Sequence, residues 1–360
     1  MKNKKVYLTL QNGTVFQGYA FGAEGEATGE LVFSTGMVGY IETLTDPCNY
    51  GQMVVQTFPL IGNYGMMRND VESKKAWVSA YVVREICEEP SNFRSEGTLE
   101  AYLKEQGVVG IYGVDTRQLT KILREEGVMN ARVSKKPLTE AEIKEMGAFR
   151  IEDAVNATAA NEKGFYEADD AKYTVALWNF GAKRSTINDL LAQGCNVIDI
   201  PATSTAEEIL ATGAHGVVLS EGAGDPSENK QIIEEITKLI GKKPIYGMGL
   251  GHQLLALALG ASTKKHKYGH RGGNQPVKCV KCGKVYISSQ NHGYEVVADS
   301  VKQGKISFTN VNDNSCEGIE YNELGAFSTQ FAPGACSIGN PVNPIYDKFF
   351  TLMEKEKENA

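Results

Sequence analysis

Apolar residues alternate with polar ones from the start of the chain. Val6, Leu8 and Leu10 precede Asn12-Gly13, and the alternation resumes at Val15, a pattern that predicts two strands joined by a tight turn. Further β-like runs fall at 31–33, 53–58 and 77–83. The spacing predicts a helix over 98–106 and another over 117–125, the second capped by Asp115 or Thr116 and ended by Gly127. These elements predict a mixed, β-rich N-terminal domain over residues 1–145. The stretch 146–171 is acidic and poor in large aliphatic residues, which reads as a linker.

From Tyr173 the rhythm changes. Short apolar runs at 175–178, 197–200 and 216–219 alternate with helical patterns near 186–192, 206–211 and 230–240, and a further strand leads into a glycine-rich turn. Strand–helix alternation of this kind predicts an α/β fold over 172–360, a doubly wound and mostly parallel sheet. Such sheets bind ligands beyond the carboxyl ends of their strands, where the Ser220 loop and the Gly249 turn both fall.

The segment Pro244-Ile-Tyr-Gly-Met-Gly-Leu-Gly-His-Gln-Leu-Leu-Ala-Leu-Ala reads as buried strand, sharp turn and apolar helix, the layout of a nucleophile elbow with Gly249 at its apex. By spacing alone, Gly-x-Gly-x-Gly after a strand suits a phosphate-binding turn equally well. The neighbourhood decides. The run 251–258 is followed by Tyr268-Gly-His-Arg-Gly-Gly-Asn-Gln-Pro and by Ser289-Gln-Asn-His-Gly-Tyr. Upstream stand Gly29-Glu-Leu-Val-Phe-Ser-Thr-Gly-Met-Val-Gly-Tyr, Pro59-Leu-Ile-Gly-Asn-Tyr-Gly and Gly113-Val-Asp-Thr-Arg-Gln-Leu-Thr. This series resembles the small subunit of carbamoyl phosphate synthetase, a class I glutamine amidotransferase, over nearly the whole chain.

The resemblance implies a cysteine thiolate that attacks the side-chain amide of glutamine, a histidine that shuttles protons and a glutamate that orients the histidine. The matching positions here hold Gly249, Ala332 and Gly334. A glycine has no side chain to attack a carbonyl, so covalent catalysis at position 249 is ruled out. Gly36 stands where the family has a serine that contacts glutamine, and Glu221 replaces an asparagine of the oxyanion loop; both changes place glutamine binding in doubt. Other pocket positions persist by resemblance: Gly222, Gly224, Leu250, Gln253, Asn291, Gly293 and Tyr294. They suit either a ligand held by backbone donors or the needs of tight turns and a buried amide. His252, His270 and His292 read as packing histidines. Cys336 is the one thiol near the vacated positions in sequence, and without a cationic neighbour it stays mostly protonated.

Composition adds limits. The chain has 360 residues, 42% of them hydrophobic, and a net charge of −7, enough for two cored domains and no basic surface for nucleic acid. No stretch approaches the ~18 consecutive apolar residues of a membrane span, and the basic start is followed by too short an apolar run for a signal peptide. Seven cysteines, an odd number, fit reduced thiols and a cytoplasmic location. Cys279 and Cys282 form half of a zinc-ribbon motif with no second half at ribbon spacing; two thiols in a hairpin turn, without metal, is the expectation. The resemblance implies a chain that has lost glutamine hydrolysis and carries no cofactor. It would partner a large subunit that makes carbamoyl phosphate from ATP, bicarbonate and ammonia for arginine and pyrimidine synthesis. The alternatives are an active amidotransferase with a relocated nucleophile and a stand-alone ligand-binding protein.

Overall fold

The computed structural model describes residues 4–338 and 342–359, the side chains of 335–338 and a few helix residues at 342–343, 357 and 359 excepted. The chain divides into two compact units, 1–152 and 153–360.

In the first unit, seven strands close into a barrel in the order Lys5–Leu10, Val15–Gly22, Val109–Tyr112, Ala80–Val82, Gln52–Gln56, Ala27–Ser34 and Met129–Ser134. The first two pair antiparallel across the expected turn, with Leu8 opposite Phe16. Gly13 supplies the positive φ of 86°, and the Asn12 side chain accepts from the Thr14 amide at 3.0 Å. The Leu99–Glu105 helix is capped by the Thr98 hydroxyl, and the Thr116–Glu126 helix by Asp115, whose carboxylate accepts from the Gln118 amide. Gly127, at φ 99°, ends the latter. Phe21, Val32, Val54, Tyr81 and Leu103 pack in one buried cluster.

The stretch expected as a linker contains regular structure. The Ala154–Thr158 helix buries Val155, and the Thr158 hydroxyl donates to the Phe180 carbonyl at 3.2 Å. The Gly164–Tyr166 strand then pairs antiparallel with Cys195–Pro201. Two small apolar side chains suffice to seat so short a helix, and composition over a wide window does not register them.

The second unit is built on one eleven-stranded sheet. At its heart five strands run parallel, in the order Cys195–Pro201, Tyr173–Phe180, Gly216–Gly222, Ile245–Met248, Ala326–Thr329. Along Tyr173–Phe180 successive side chains enter opposite cores. Ala176 and Trp178 pack with Ile209, Ile236 and Leu254 on one face, whereas Val175 and Leu177 pack with Ile187, Tyr346 and Phe349 on the other. Helices cover both faces, as the doubly wound reading requires. Beyond Ala326–Thr329 the sheet continues antiparallel through Cys316–Tyr321, Lys305–Asn310 and the long hairpin Thr263–Cys279 and Val285–Val296. The parallel strands leave their carboxyl ends at Gly181, Gly222, Gly249 and Gln330. Because strand order reverses beside Tyr173–Phe180, this edge is the topological switch point of the sheet.

Candidate functional site

At the apex between the Ile245–Met248 strand and the Leu250–Ala258 helix, Gly249 adopts φ 54° and ψ −112°, a conformation costly for residues with a β-carbon. Its amide donates to the Thr329 carbonyl at 3.0 Å, tying the turn to the next strand. The flanking glycines have packing reasons. A β-carbon on Gly251 would overlap the Leu219 carbonyl oxygen, and one on Gly247 would come within 2.7 Å of the Gly251 carbonyl. Both let the helix lie directly on the sheet. Gly222 is equally confined, since a β-carbon there would meet the Phe180 carbonyl and stand 2.8 Å from Leu250 Cδ2.

The α- and β-carbons of Glu221 lie beside the apex. Its Oε1 accepts from the Thr186 hydroxyl and, at 3.1 Å, from the Lys183 amide, while Oε2 is buried without a hydrogen-bond partner. On the other side Gln253 Nε2 donates to the Tyr294 carbonyl at 2.8 Å and to Gln330 Oε1 at 2.9 Å. That leaves Gln330 Nε2 buried and unpartnered. The Glu221 carboxylate and the Gln330 amide thus each keep one buried polar atom without a hydrogen-bond partner.

Ala332 and Gly334 follow on the loop after Gln330, in and beside the Pro333–Ala335 turn. The carboxylate of Asp189, from the Arg184–Ala192 helix, fills the space into which a side chain at 334 would project. His252, adjacent to the elbow, is fully buried, and its Nδ1 pairs with Ser328 Oγ at 2.8 Å. Burial pulls its pKa down to about 3, so it is a neutral packing residue. Among the described side chains around the apex there is neither a thiol nor a basic imidazole. Cys336 has its side chain outside the described residues.

The remaining pocket positions are less tightly gathered. Gly224 has φ 91°, and a β-carbon on it would lie 2.7 Å from Ala154 Cβ. Asn291 lies opposite Arg271 in the long hairpin, and a β-carbon on Gly293 would stand 3.1 Å from an Arg271 guanidinium nitrogen. Gly36 belongs to the first unit, where its carbonyl accepts from Gln56 Nε2 and its amide donates to Ser34 Oγ at 3.4 Å.

His270 and His292, expected as packing residues, meet His266 in a cluster whose ligand-type atoms lie within 4.8 Å of one another. His270 is charged rather than merely packed. Its Nε2 faces Asp313 at 2.8 Å and its Nδ1 faces Glu317 at 3.3 Å. Burial pulls this imidazole down, but the two carboxylates outweigh it and raise the pKa to about 9. His292 sits between the Tyr294 carbonyl at 2.8 Å and Gln290 Oε1 at 2.9 Å. His266, Asp313, Glu317 and Asp189 escaped the sequence reading. A hairpin turn at Cys279–Cys282 brings His270 near His292, but their direct pairing depends on an irregularity between Gly272 and Gln275 that no local signal marks.

A glycine-rich elbow at the carboxyl edge of a doubly wound sheet, with a turn beside it from the preceding strand, defines a class I glutamine amidotransferase domain. The family description "Glutamine amidotransferase class-I" matches residues 176–352. The first unit matches "Carbamoyl-phosphate synthase small chain, CPSase domain" over residues 8–133. The chain is 46% identical to the carbamoyl phosphate synthase small chain of Clostridium perfringens over 96% of its own length and 98% of that protein. It is 42% identical to that of Syntrophotalea carbinolica over 99% of both, and 43% identical to that of Fusobacterium nucleatum over 96% and 98%. The chain therefore belongs to the carbamoyl phosphate synthase small-chain family. Among solved structures, a glutamine amidotransferase from Thermotoga maritima is 23% identical, covering 51% of this chain and 84% of that one, with a TM-score of 0.35. No helix among the described residues is long and apolar enough to cross a membrane.

Proposed function

We propose that this chain is a carbamoyl phosphate synthase small subunit that has lost glutamine hydrolysis and serves as a non-catalytic partner of a large subunit using free ammonia. The observation that carries this reading is Gly249. The apex of the elbow has no side chain, so the bond between a nucleophile and the amide carbon of glutamine cannot form there. Ala332 and Gly334 remove the base and its orienting carboxylate from the loop that would hold them. The strand–turn–helix frame of the elbow is meanwhile present, with Gly249 between the Ile245–Met248 strand and the Leu250–Ala258 helix. In this reading ATP and bicarbonate act on the large subunit, this chain carries no cofactor, and the complex works in the cytoplasm on a precursor of arginine and pyrimidines. Glutamine binding is weakened by Gly36 and Glu221.

The first unit supplies the contact surface. Identity to relatives of the same length runs through 96% or more of the chain, and the stretches 59–63 and 115–120 keep the family pattern. Selection for association has outlasted selection for chemistry. The test is co-expression with a large chain. A 1:1 complex that makes carbamoyl phosphate from ammonium but not from glutamine, with no glutamyl adduct on the small chain, is expected. Separate elution of the two chains at micromolar concentration, or glutamate release at enzyme-like rates, overturns the reading.

A further inference from the structure

The long hairpin of the second unit ends in Cys279-Val-Lys-Cys-Gly-Lys284, and the turn is organised around its two sulfurs. Cys279 closes the hairpin by donating its amide to the Lys284 carbonyl at 2.9 Å, and the Gly283 amide returns to the Cys279 carbonyl at 2.9 Å. Gly283 takes the positive φ of 71° that this geometry needs. The Cys282 amide donates to Cys279 Sγ at 3.3 Å. The Lys281 amide also points at Cys279, and the Lys284 amide and the Tyr286 hydroxyl point at Cys282. The two side chains are close enough to hydrogen-bond each other. The Val280 amide is tied to the Ser307 carbonyl at 2.8 Å, so the turn is anchored to the neighbouring strand. Cys279 is half-buried and Cys282 is exposed.

Two thiols three residues apart, on one side of a turn whose amides converge on them, form a bidentate ligand set. N–H···S bonds offset the negative charge of a metal-bound thiolate, as outer-shell donors do in thiolate sites. Lys281 and Lys284, within the same six residues, add positive charge. Soft thiolates select thiophilic cations such as Zn²⁺ over the hard cations that prefer oxygen.

We propose that Cys279 and Cys282 form a binding site for a thiophilic metal cation, with the chain supplying two sulfur ligands and solvent or a second copy of this chain completing the shell. Binding of Zn²⁺ breaks two S–H bonds, forms two Zn–S bonds and releases two protons to buffer. The histidine cluster elsewhere on the same hairpin is a poorer candidate. His270 Nε2 is bonded to Asp313 and both nitrogens of His292 face acceptors, so a metal there must displace existing bonds. The proposal is independent of what happens at the elbow.

The test uses the reduced, full-length chain after treatment with a chelator. Zn²⁺ is titrated against a competing indicator, and Co²⁺ serves as an optical probe, because sulfur ligation gives a thiolate-to-metal charge-transfer band. One zinc per chain, or one per two chains with dimerisation, is expected, together with that band. Cys279→Ser and Cys282→Ser should each weaken binding by at least about 100-fold, the upper end of what losing an outer-shell partner alone costs, while His266→Gln leaves it unchanged. Should either serine variant fail to fold, protection of both wild-type thiols from alkylation by Zn²⁺ gives the same answer by peptide mass. Absence of the charge-transfer band, unprotected thiols, or zinc affinity unchanged in the Cys279→Ser/Cys282→Ser variant overturns the proposal.

Discussion

A β-carbon placed on Gly249 would stand 3.0 Å from the β-carbon and 3.3 Å from the α-carbon of Glu221. Any side chain at position 249 therefore has to be accommodated against the α- and β-carbons of Glu221. Gly249→Cys must bear both this contact and a φ of 54°. The expected result is a loss of about 1–3 kcal/mol in urea unfolding and no glutamine hydrolysis, since the base is still missing and residues that act as a unit are strongly non-additive. Gly249→Cys in a Glu221→Gly background should cost less than in the parent. A single variant more stable than the parent would show the turn to be unstrained.

Restoring the lost side chains meets a second obstacle, at Asp189. Glutamate at position 334 has to displace the Asp189 carboxylate, which lies where its β-carbon belongs, and two carboxylates would then share one space. The variant carrying Gly249→Cys, Ala332→His and Gly334→Glu is expected to remain inactive in steady-state ammonia release. Adding Asp189→Gly should yield measurable glutamine hydrolysis, and adding Gly36→Ser should lower KM more than it raises kcat. Turnover by the variant that keeps Asp189 would mean that the carboxylate is not an obstacle.

Gly251 tests the packing reading of the glycine-rich turn. A methyl group there collides with the Leu219 carbonyl and approaches its β-carbon at 2.6 Å, and both belong to a rigid central strand. Gly251→Ala should therefore destabilise by about 1–3 kcal/mol or more through overpacking, visible as a lower urea midpoint with an unchanged slope. A neutral effect would show that the Leu250–Ala258 helix can lift from the sheet.

Much of this was legible in the sequence because it is local. The hairpin at Asn12-Gly13, the helix cap offered by Asp115 or Thr116 and the apolar run Val175–Trp178 each report a rule obeyed within a few residues, and the elbow declares itself in one unbroken segment. Tertiary pairings were hidden. Asp189 and Gly334 lie far apart in sequence, and nothing local says that the carboxylate of one occupies the space of the other. The antiparallel half of the sheet was obscured for a similar reason. Its longest strand, Thr263–Cys279, is largely exposed or half-buried and carries four lysines, and the neighbouring strands mix polar with apolar residues, so they lack the continuous apolar runs that marked the buried parallel strands. The carboxylates around His270 come from a third strand region, which periodicity cannot supply.

His270 sets an alkaline limit on stability. Its imidazole ionises near 6.5 in an unfolded chain and, held between Asp313 and Glu317, at about 9 in the folded one. A raised folded pKa means that the native state binds the proton more tightly, so the stabilisation is complete below pH 6.5 and is lost as pH rises through 9. It amounts to at most ~3 kcal/mol. Unfolding free energies measured from pH 6 to pH 10 should fall across that window in the parent protein. Asp313→Asn keeps an oxygen to accept from the Ser315 amide but removes one of the two facing charges, so the decline should be shallower and end at lower pH. His270→Gln should abolish the decline and lower stability throughout, because Glu317, wholly buried, then loses its counter-charge. A pH profile identical in all three proteins would show that the His270 imidazole is neutral between its carboxylates.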